Sequence, residues 1–397
     1  MVVMSINSKL IERNLIPYKE IKENTNIQLN MEIFTKTPRT QEWLGSRPAR
    51  PVAVYDLNGY PLFYDIPLRS PKNEEIGLIR TSANKLLGET VLSTYLGKAP
   101  WSWQEANKRV TEIIEKKQRG KIIKLTPICY AYPKLGVKAE WALQGRSTET
   151  AIFDIADYST VPLKTEPGLR GVGAISSYEQ IKPEKATELL KLYESRKALA
   201  EELKNKIDFS LERILKKYEY VELQKAVAKL MELYTTKILT LCTHRFSHEC
   251  FNLHGQETGW NCVPATGQMI LDFWRYYNTQ NQVATAMGTG TGGTGWTGEV
   301  NGLNNLTCAH FTAQQDMSPT FNEVKTEINA NRPFDYSYSY HAMACAGYKE
   351  QNWYLVGTQP LRQVYLYDPS PVNSGTIRWE TWGAGISAVA GFVYLRR

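Results

Sequence analysis

Apolar and polar positions along the 397-residue chain change period several times, and the changes divide it. Val52-Ala-Val-Tyr-Asp-Leu-Asn58-Gly59-Tyr-Pro-Leu-Phe-Tyr-Asp-Ile is two apolar runs about Asn-Gly, a strong short-range hairpin signal. Ala106, Val110, Ile113 and Ile114 then recur at helical spacing behind Trp101-Ser102-Trp103, and strand-like runs follow at 122–132, 137–143 and 151–155. Together these predict an antiparallel sheet covered by a helix. Residues 1–50 show little periodicity and read as a polar extension. Glu166-Pro-Gly-Leu-Arg-Gly-Val-Gly173 is breaker-rich and reads as a linker. From Pro183 to about Thr240 helix formers dominate. Leu189, Leu192, Leu199 and Leu203 mark an apolar stripe continued by Leu211, Ile214 and Leu215, and Asp208-Phe-Ser210 suits the cap of a second helix. Coiled-coil heptads are not sustained.

Around Thr240 lysine nearly vanishes while Gly, Thr, Trp and Asn rise. The expected organisation is an α+β protein in four parts: a polar extension (1–50), an α+β module (51–170), a helical segment (171–240) and a domain bearing the chemistry (241–397). Charge follows the same division. Before Thr240 there are 38 basic and 29 acidic residues, and from it onward 9 basic and 11 acidic, so the halves are complementary in sign and suited to docking on each other. Basic and acidic residues are mixed and no nucleic-acid motif is present, so no nucleic-acid partner is expected. No apolar run approaches a membrane span, and Met-Val-Val-Met-Ser-Ile-Asn-Ser-Lys9 lacks an apolar signal core. No membrane partner is expected, and the default location is cytoplasmic. Six cysteines in a chain this long do not make a disulfide scaffold.

One of the six has a setting that changes a thiol's chemistry. Gln256-Glu-Thr-Gly-Trp-Asn-Cys262-Val-Pro264 leads into Met269, Ile270, Phe273, Trp274 and Tyr277 at helical spacing, with Pro264 suited to a first turn. A sulfur at a helix N-terminus faces the positive end of the dipole, which lowers its pKa and makes a nucleophile. Gln256 offers an amide donor of the kind an oxyanion needs. A thiolate nucleophile also needs a base, and histidine titrates near neutrality. Of five histidines, His341 has the best context, on the alternating run Tyr336-Ser-Tyr-Ser-Tyr-His341-Ala-Met-Ala-Cys-Ala-Gly-Tyr348. Val364-Tyr-Leu-Tyr-Asp368-Pro369 is the next strand-like run. It ends in a carboxylate able to fix the imidazole tautomer.

In this order of Gln, cysteine on a helix, histidine on a strand and carboxylate on the next strand, residues 250–397 resemble the papain-like cysteine peptidases. The segment from His341-Ala to Gly347-Tyr348 is similar to the papain-type histidine segment. Cys262-Val-Pro-Ala is closer to streptopain, staphopain and the peptidases that process double-glycine leaders. The chain departs from papain in the short interval of 79 residues between Cys262 and His341, and in Asp368 where papain has Asn. The resemblance implies a papain-like catalytic domain in which Cys262 attacks the scissile carbonyl of a protein or peptide substrate. His341 is general base and acid, Asp368 orients it, and Gln256 with the Cys262 N–H binds the oxyanion. The first 240 residues resemble a streptopain-style pro-domain, an intramolecular partner that keeps the enzyme latent until a cut between Thr235 and Gln256. The resemblance implies no cofactor and no metal. Alternatives are an acyltransferase or cell-wall amidase on the same fold, and a binding protein with a vestigial papain-like domain.

Two further motifs stand out. Cys242, His244, His248, Cys250 and His254 offer soft ligands but match no zinc module by spacing. Gly288-Thr-Gly-Thr-Gly-Gly-Thr-Gly-Trp-Thr-Gly298 lacks the Lys-Ser/Thr of a phosphate loop and reads as a flexible loop that can gate a cleft.

Overall fold

A computed structural model describes residues 6–35, 37–118, 120–143, 148–163, 168–171, 173–206, 231–238, 251–353, 359–386 and 389–397. The fold is mixed α+β, dominated by one large, mostly antiparallel sheet. In the C-terminal part neighbouring strands run Thr312–Asp316, Gly391–Arg396, Phe334–Tyr338, His341–Trp353, Leu361–Asp368 and Thr376–Thr381. The sheet continues without a break through Val91–Leu96, Glu75–Ser82, Pro61–Arg69, Val52–Tyr55, Gly120–Ala131, Lys134–Leu143 and Thr148–Asp154. The seam is antiparallel, with Arg378 opposite Tyr95, Trp379 opposite Thr94 and Glu380 opposite Ser93.

The Asn58-Gly59 hairpin forms as its sequence dictates, with Gly59 at φ +86° and strands Val52–Tyr55 and Pro61–Arg69 antiparallel. Helix Trp103–Ile113 starts on a Ser102 side-chain cap and buries Ala106 and Val110. Where the leader showed little periodicity, Tyr18–Phe34 is a helix whose buried set includes the polar Asn24, Thr25 and Glu32. Those polar residues mask the helical period, and they are buried because partners await them: Lys349 Nζ donates to Glu32 Oε2 at 2.8 Å. Helix Ala186–Lys206 realises the first leucine stripe, burying Leu189, Leu199 and Leu203. Its Arg196 pairs with Glu89 at 2.7 Å and donates to the Pro360 carbonyl at 2.9 Å. Leu211, Ile214, Leu215 and the Asp208-Phe-Ser210 cap lie outside the described residues. Met231–Ile238, expected as helix, is a strand paired antiparallel with His341–Trp353.

Among the described residues no helix is long and apolar enough to cross a membrane. The charges that join the N-terminal and C-terminal parts are buried pairs, Glu32 with Lys349 and Arg170 with Glu299, not the diffuse surface complementarity that the net charges suggested. Leaving one partner of such a pair unpaired costs about 3–5 kcal/mol.

Candidate active site

The helix carrying Cys262 runs Cys262–Phe273 and packs on the strands His341–Trp353 and Phe334–Tyr338. It begins at the cysteine, as Pro264 and the apolar spacing predict, but closes at Phe273. Trp274 is the C-cap, and Tyr277 lies beyond the helix, exposed. Met269, Ile270, Leu271 and Phe273 are buried and fix the helix on the sheet. Its first N–H groups therefore point at the Cys262 end, where a developing negative charge is favoured.

His341 opens the long strand His341–Trp353, and Asp368 closes the adjacent strand Leu361–Asp368. The antiparallel pairing of these strands, with Ala344 opposite Tyr367, brings the two ends together. His341 Nε2 lies 2.6 Å from Asp368 Oδ1. The carboxylate is itself held: Ser370 N–H donates to Oδ1 at 2.8 Å, and Arg378 Nη1 donates to Oδ2. Arg378 Nε in turn donates to Glu380 Oε2 at 2.8 Å, and Tyr132 of the N-terminal part donates its hydroxyl to Glu380 Oε1 at 2.7 Å. Despite burial, the charges and hydrogen bonds of His341 and Arg378 hold the Asp368 carboxyl well below the usual carboxylate range.

His341 and Cys262 are both fully buried. The imidazole nitrogen that Asp368 leaves free, Nδ1, makes no hydrogen bond of ordinary geometry among the described residues. Yet it belongs to the ring that most strongly acidifies the Cys262 thiol. Burial pushes that thiol up, while His341, the Lys134 ammonium and the Ala342 N–H outweigh it and bring it down to about 7 from 9.0. Burial pulls the His341 imidazolium down, and Asp368 together with Cys262 raises it above 6.5. A thiol and an imidazole tuned toward each other in this way can form a thiolate–imidazolium pair, and the contact of such pairs often tightens only when substrate is present. Cys345 is the contrast: burial pushes its thiol up to about 12, leaving it unreactive.

Gln256 is buried on the loop before the helix. Its N–H donates to the Pro369 carbonyl at 2.9 Å and its carbonyl accepts from Asn373 N–H at 2.8 Å, so it is tied to the segment just after Asp368. Nε2 donates one hydrogen to the Thr258 carbonyl at 2.8 Å, and a second amide hydrogen remains on that nitrogen. The structure therefore draws Cys262, His341 and Asp368 into one buried cluster, with Gln256 anchored beside the Asp368 turn.

That cluster lies within a segment similar to a known sequence family. Residues 249–389 match the Peptidase_C39 like family. The match takes in Gln256, Cys262, His341 and Asp368 and leaves residues 1–248 outside it. Two solved structures of peptidases are similar to part of the chain. The peptidase domain of Streptococcus ComA, a bi-functional ABC transporter involved in a quorum-sensing pathway, is 15% identical and covers 36% of this chain and 96% of its own, with a TM-score of 0.28. A double-glycine-motif protease from an AMS/PCAT transporter, in complex with the leader peptide, is 11% identical and covers 41% of this chain and 98% of its own, with a TM-score of 0.27. No curated protein matches the chain.

Sequence reasoning passed over Lys134, Arg170, Arg378 and Glu380. For Arg378 and Glu380 a signal existed: they alternate about Trp379 on one strand, so both project to the same face. Lys134, the first residue of strand Lys134–Leu143, and Arg170, in the breaker-rich segment, carried none. The glycine-rich run is not a free loop. Gly293–Gly295 is a strand paired with Leu169–Gly171, and Trp296–Leu306 is a helix. Of the metal-like cluster, Cys242, His244, His248 and Cys250 lie outside the described residues, and His254 Nε2 is 2.6 Å from Asp272 Oδ2.

Proposed function

We propose that the chain is a papain-like cysteine endopeptidase acting through a thioester acyl-enzyme. The observation carrying this reading is the His341 imidazole, fixed by Asp368 at 2.6 Å on one side and coupled to an acidified Cys262 thiol on the other. The Cys262 thiolate attacks the scissile carbonyl carbon, and the oxyanion is received by the Cys262 N–H at the helix start and the second amide hydrogen of Gln256. The His341 imidazolium gives its proton to the leaving amine as the C–N bond breaks, leaving the acyl group as a thioester on Sγ. Neutral His341 then takes a proton from water, whose oxygen displaces the sulfur and releases the acid. Asp368 holds the ring in the tautomer these steps require and favours its cationic form. A cleft of about 440 Å³ lined by Tyr130, Asp154, Gly171, Trp260 and Gly292 lies beside the loop that leads into the Cys262 helix and gives a peptide room to approach.

The N-terminal region serves in this reading as the intramolecular partner that keeps the thiol latent. Supporting this, Cys262 is fully buried, strand Leu169–Gly171 packs against its helix, and Lys134 acts on its charge. The test is incubation of wild type and Cys262→Ala with an epoxide thiol probe and casein under reductant, with N-terminal sequencing of any shortened form. Label on Cys262 and casein cleavage, both absent from the variant, are expected. Label without proteolysis assigns an acyltransferase or amidase instead. No label even in shortened protein assigns a binding protein.

A further inference from the structure

Strand Leu169–Gly171 joins two parts of one chain, yet it is held as a bound peptide is held. Its backbone pairs antiparallel with Gly293–Gly295, placing Gly171 opposite Gly293 and Arg170 opposite Thr294. A Cβ on Gly171 would stand 2.6 Å from Gly293 Cα and 2.8 Å from Gly292 O, so only glycine passes there. The side chain between, Arg170, enters a closed pocket. Its guanidinium lies 3.8 Å from the centroid of the Trp296 ring. Nη2 donates to Glu299 Oε2 at 2.6 Å, and Nη1 donates to Ser337 Oγ at 2.8 Å and sits 3.5 Å from Asp335 Oδ1. Arg170, Glu299, Asp335 and Ser337 are all fully buried. The walls belong to helix Trp296–Leu306 and strand Phe334–Tyr338, and the occupant to neither.

Two carboxylates share this pocket. Burial raises the protonation equilibria of both, and the charge of Glu299 pushes Asp335 further up, so the pocket calls for a cation. Carboxylates beside an aromatic face fit a planar guanidinium better than an ammonium. Main-chain pairing for affinity with a side-chain pocket for specificity is a general mode of extended-peptide recognition. The place also fits. The strand packs against the Cys262 helix, and Lys134, whose Nζ donates to the Gly171 carbonyl, acts electrostatically on Cys262.

We propose that Trp296, Glu299, Asp335 and Ser337 form a specificity pocket for an arginine side chain of an extended peptide substrate whose next residue is glycine, and that Leu169-Arg170-Gly171 occupies this channel as an internal mimic. The proposal rests on the reading of Cys262 as a peptidase nucleophile and gives that reading a substrate class.

The test uses the full chain and reads alkylation of Cys262 by iodoacetamide, located by peptide mass spectrometry. Arg170→Ala empties the pocket, and Gly171→Ala forces the strand off its glycine partners. Either variant is expected to react about tenfold or more faster than wild type, as the seated state loses population. Added acetyl-Leu-Arg-Gly-amide then restores shielding. The citrulline analogue, which keeps the shape and lacks the charge, shields about tenfold to a hundredfold more weakly. Equal shielding by the two peptides, shielding by neither, or wild-type alkylation rates in both variants overturns the proposal. Loss of the folded state in both variants assigns Arg170 to the core and overturns it as well. Hydrolysis of the added peptides is read separately from shielding, by mass spectrometry of the peptides. Discriminating shielding with no peptide cleaved therefore keeps the pocket and defeats the peptidase reading, whereas cleavage of both peptides alike does the reverse.

Discussion

Cys262, His341 and Asp368 set how the thiol responds to pH. The thiolate is the reactive form, so alkylation of Cys262, once the strand over it is released, is expected to rise through a midpoint near 7, not near 9.0. Asp368→Asn removes the charge that favours imidazolium. The midpoint then moves up toward 9.0, and the rate at neutral pH falls by about tenfold. Lys134→Met shifts it the same way but less, because His341 lowers the thiol more than Lys134 does. Rate profiles from pH 5 to 10 check all three proteins. Asp368 also links stability to acid. Its folded carboxyl titrates below the 3.8 of an ordinary aspartate, so its contribution is complete above that pH and is lost as pH falls further. The three residues were legible because each sits at the end of an element that its local sequence specifies. The groups that tune them were not. Tyr132 reaches Glu380 across 248 positions, and nothing near either residue announces the other.

At the scale of elements, the glycine-rich run was misread because composition suggests a loop whereas close packing requires a strand and a helix. Gly302, four residues beyond the run and in the same helix, shows what close packing asks of a glycine here. In helix Trp296–Leu306 a Cβ at this position would meet Met287 Cγ at 2.5 Å and the Met287 backbone nitrogen at 2.9 Å. Helix propensity alone favours Ala over Gly by about 1 kcal/mol. The approach to backbone dominates, so Gly302→Ala is expected to lower stability by about 1–3 kcal/mol, read as a lower midpoint in denaturant. The hairpin at Asn58-Gly59, helix Trp103–Ile113 and the Cys262 helix were legible from local period and caps alone. Strands Glu75–Ser82 and Val91–Leu96 were missed, being buried on both faces for most of their length and so lacking alternation.

The whole molecule is joined by the sheet seam, the Lys349–Glu32 pair, the bond from Arg196 to the Pro360 carbonyl and the Tyr132–Glu380 bond. A cut within residues 239–250 severs none of these. The two fragments are therefore expected to co-elute in size-exclusion chromatography at neutral pH and to separate only in denaturant; separation in native buffer would show that the joint is weak. Under the proposed latency, activation is expected to need only movement of the short strand that packs on the Cys262 helix, with the rest of the N-terminal part in place. The division near Thr240 was visible as a change in composition, but composition carries no information on strand pairing, so the continuity of the sheet was not.

The seam has a practical consequence for handling the protein. Val91–Leu96 and Thr376–Thr381 satisfy each other's backbone groups. The C-terminal residues expressed alone would present Thr376–Thr381 as a bare sheet edge, with its N–H and C=O groups open to a second copy. Trimming the gene to the recognisable family segment would therefore yield an aggregating fragment, and its inactivity would say nothing about the chemistry of Cys262.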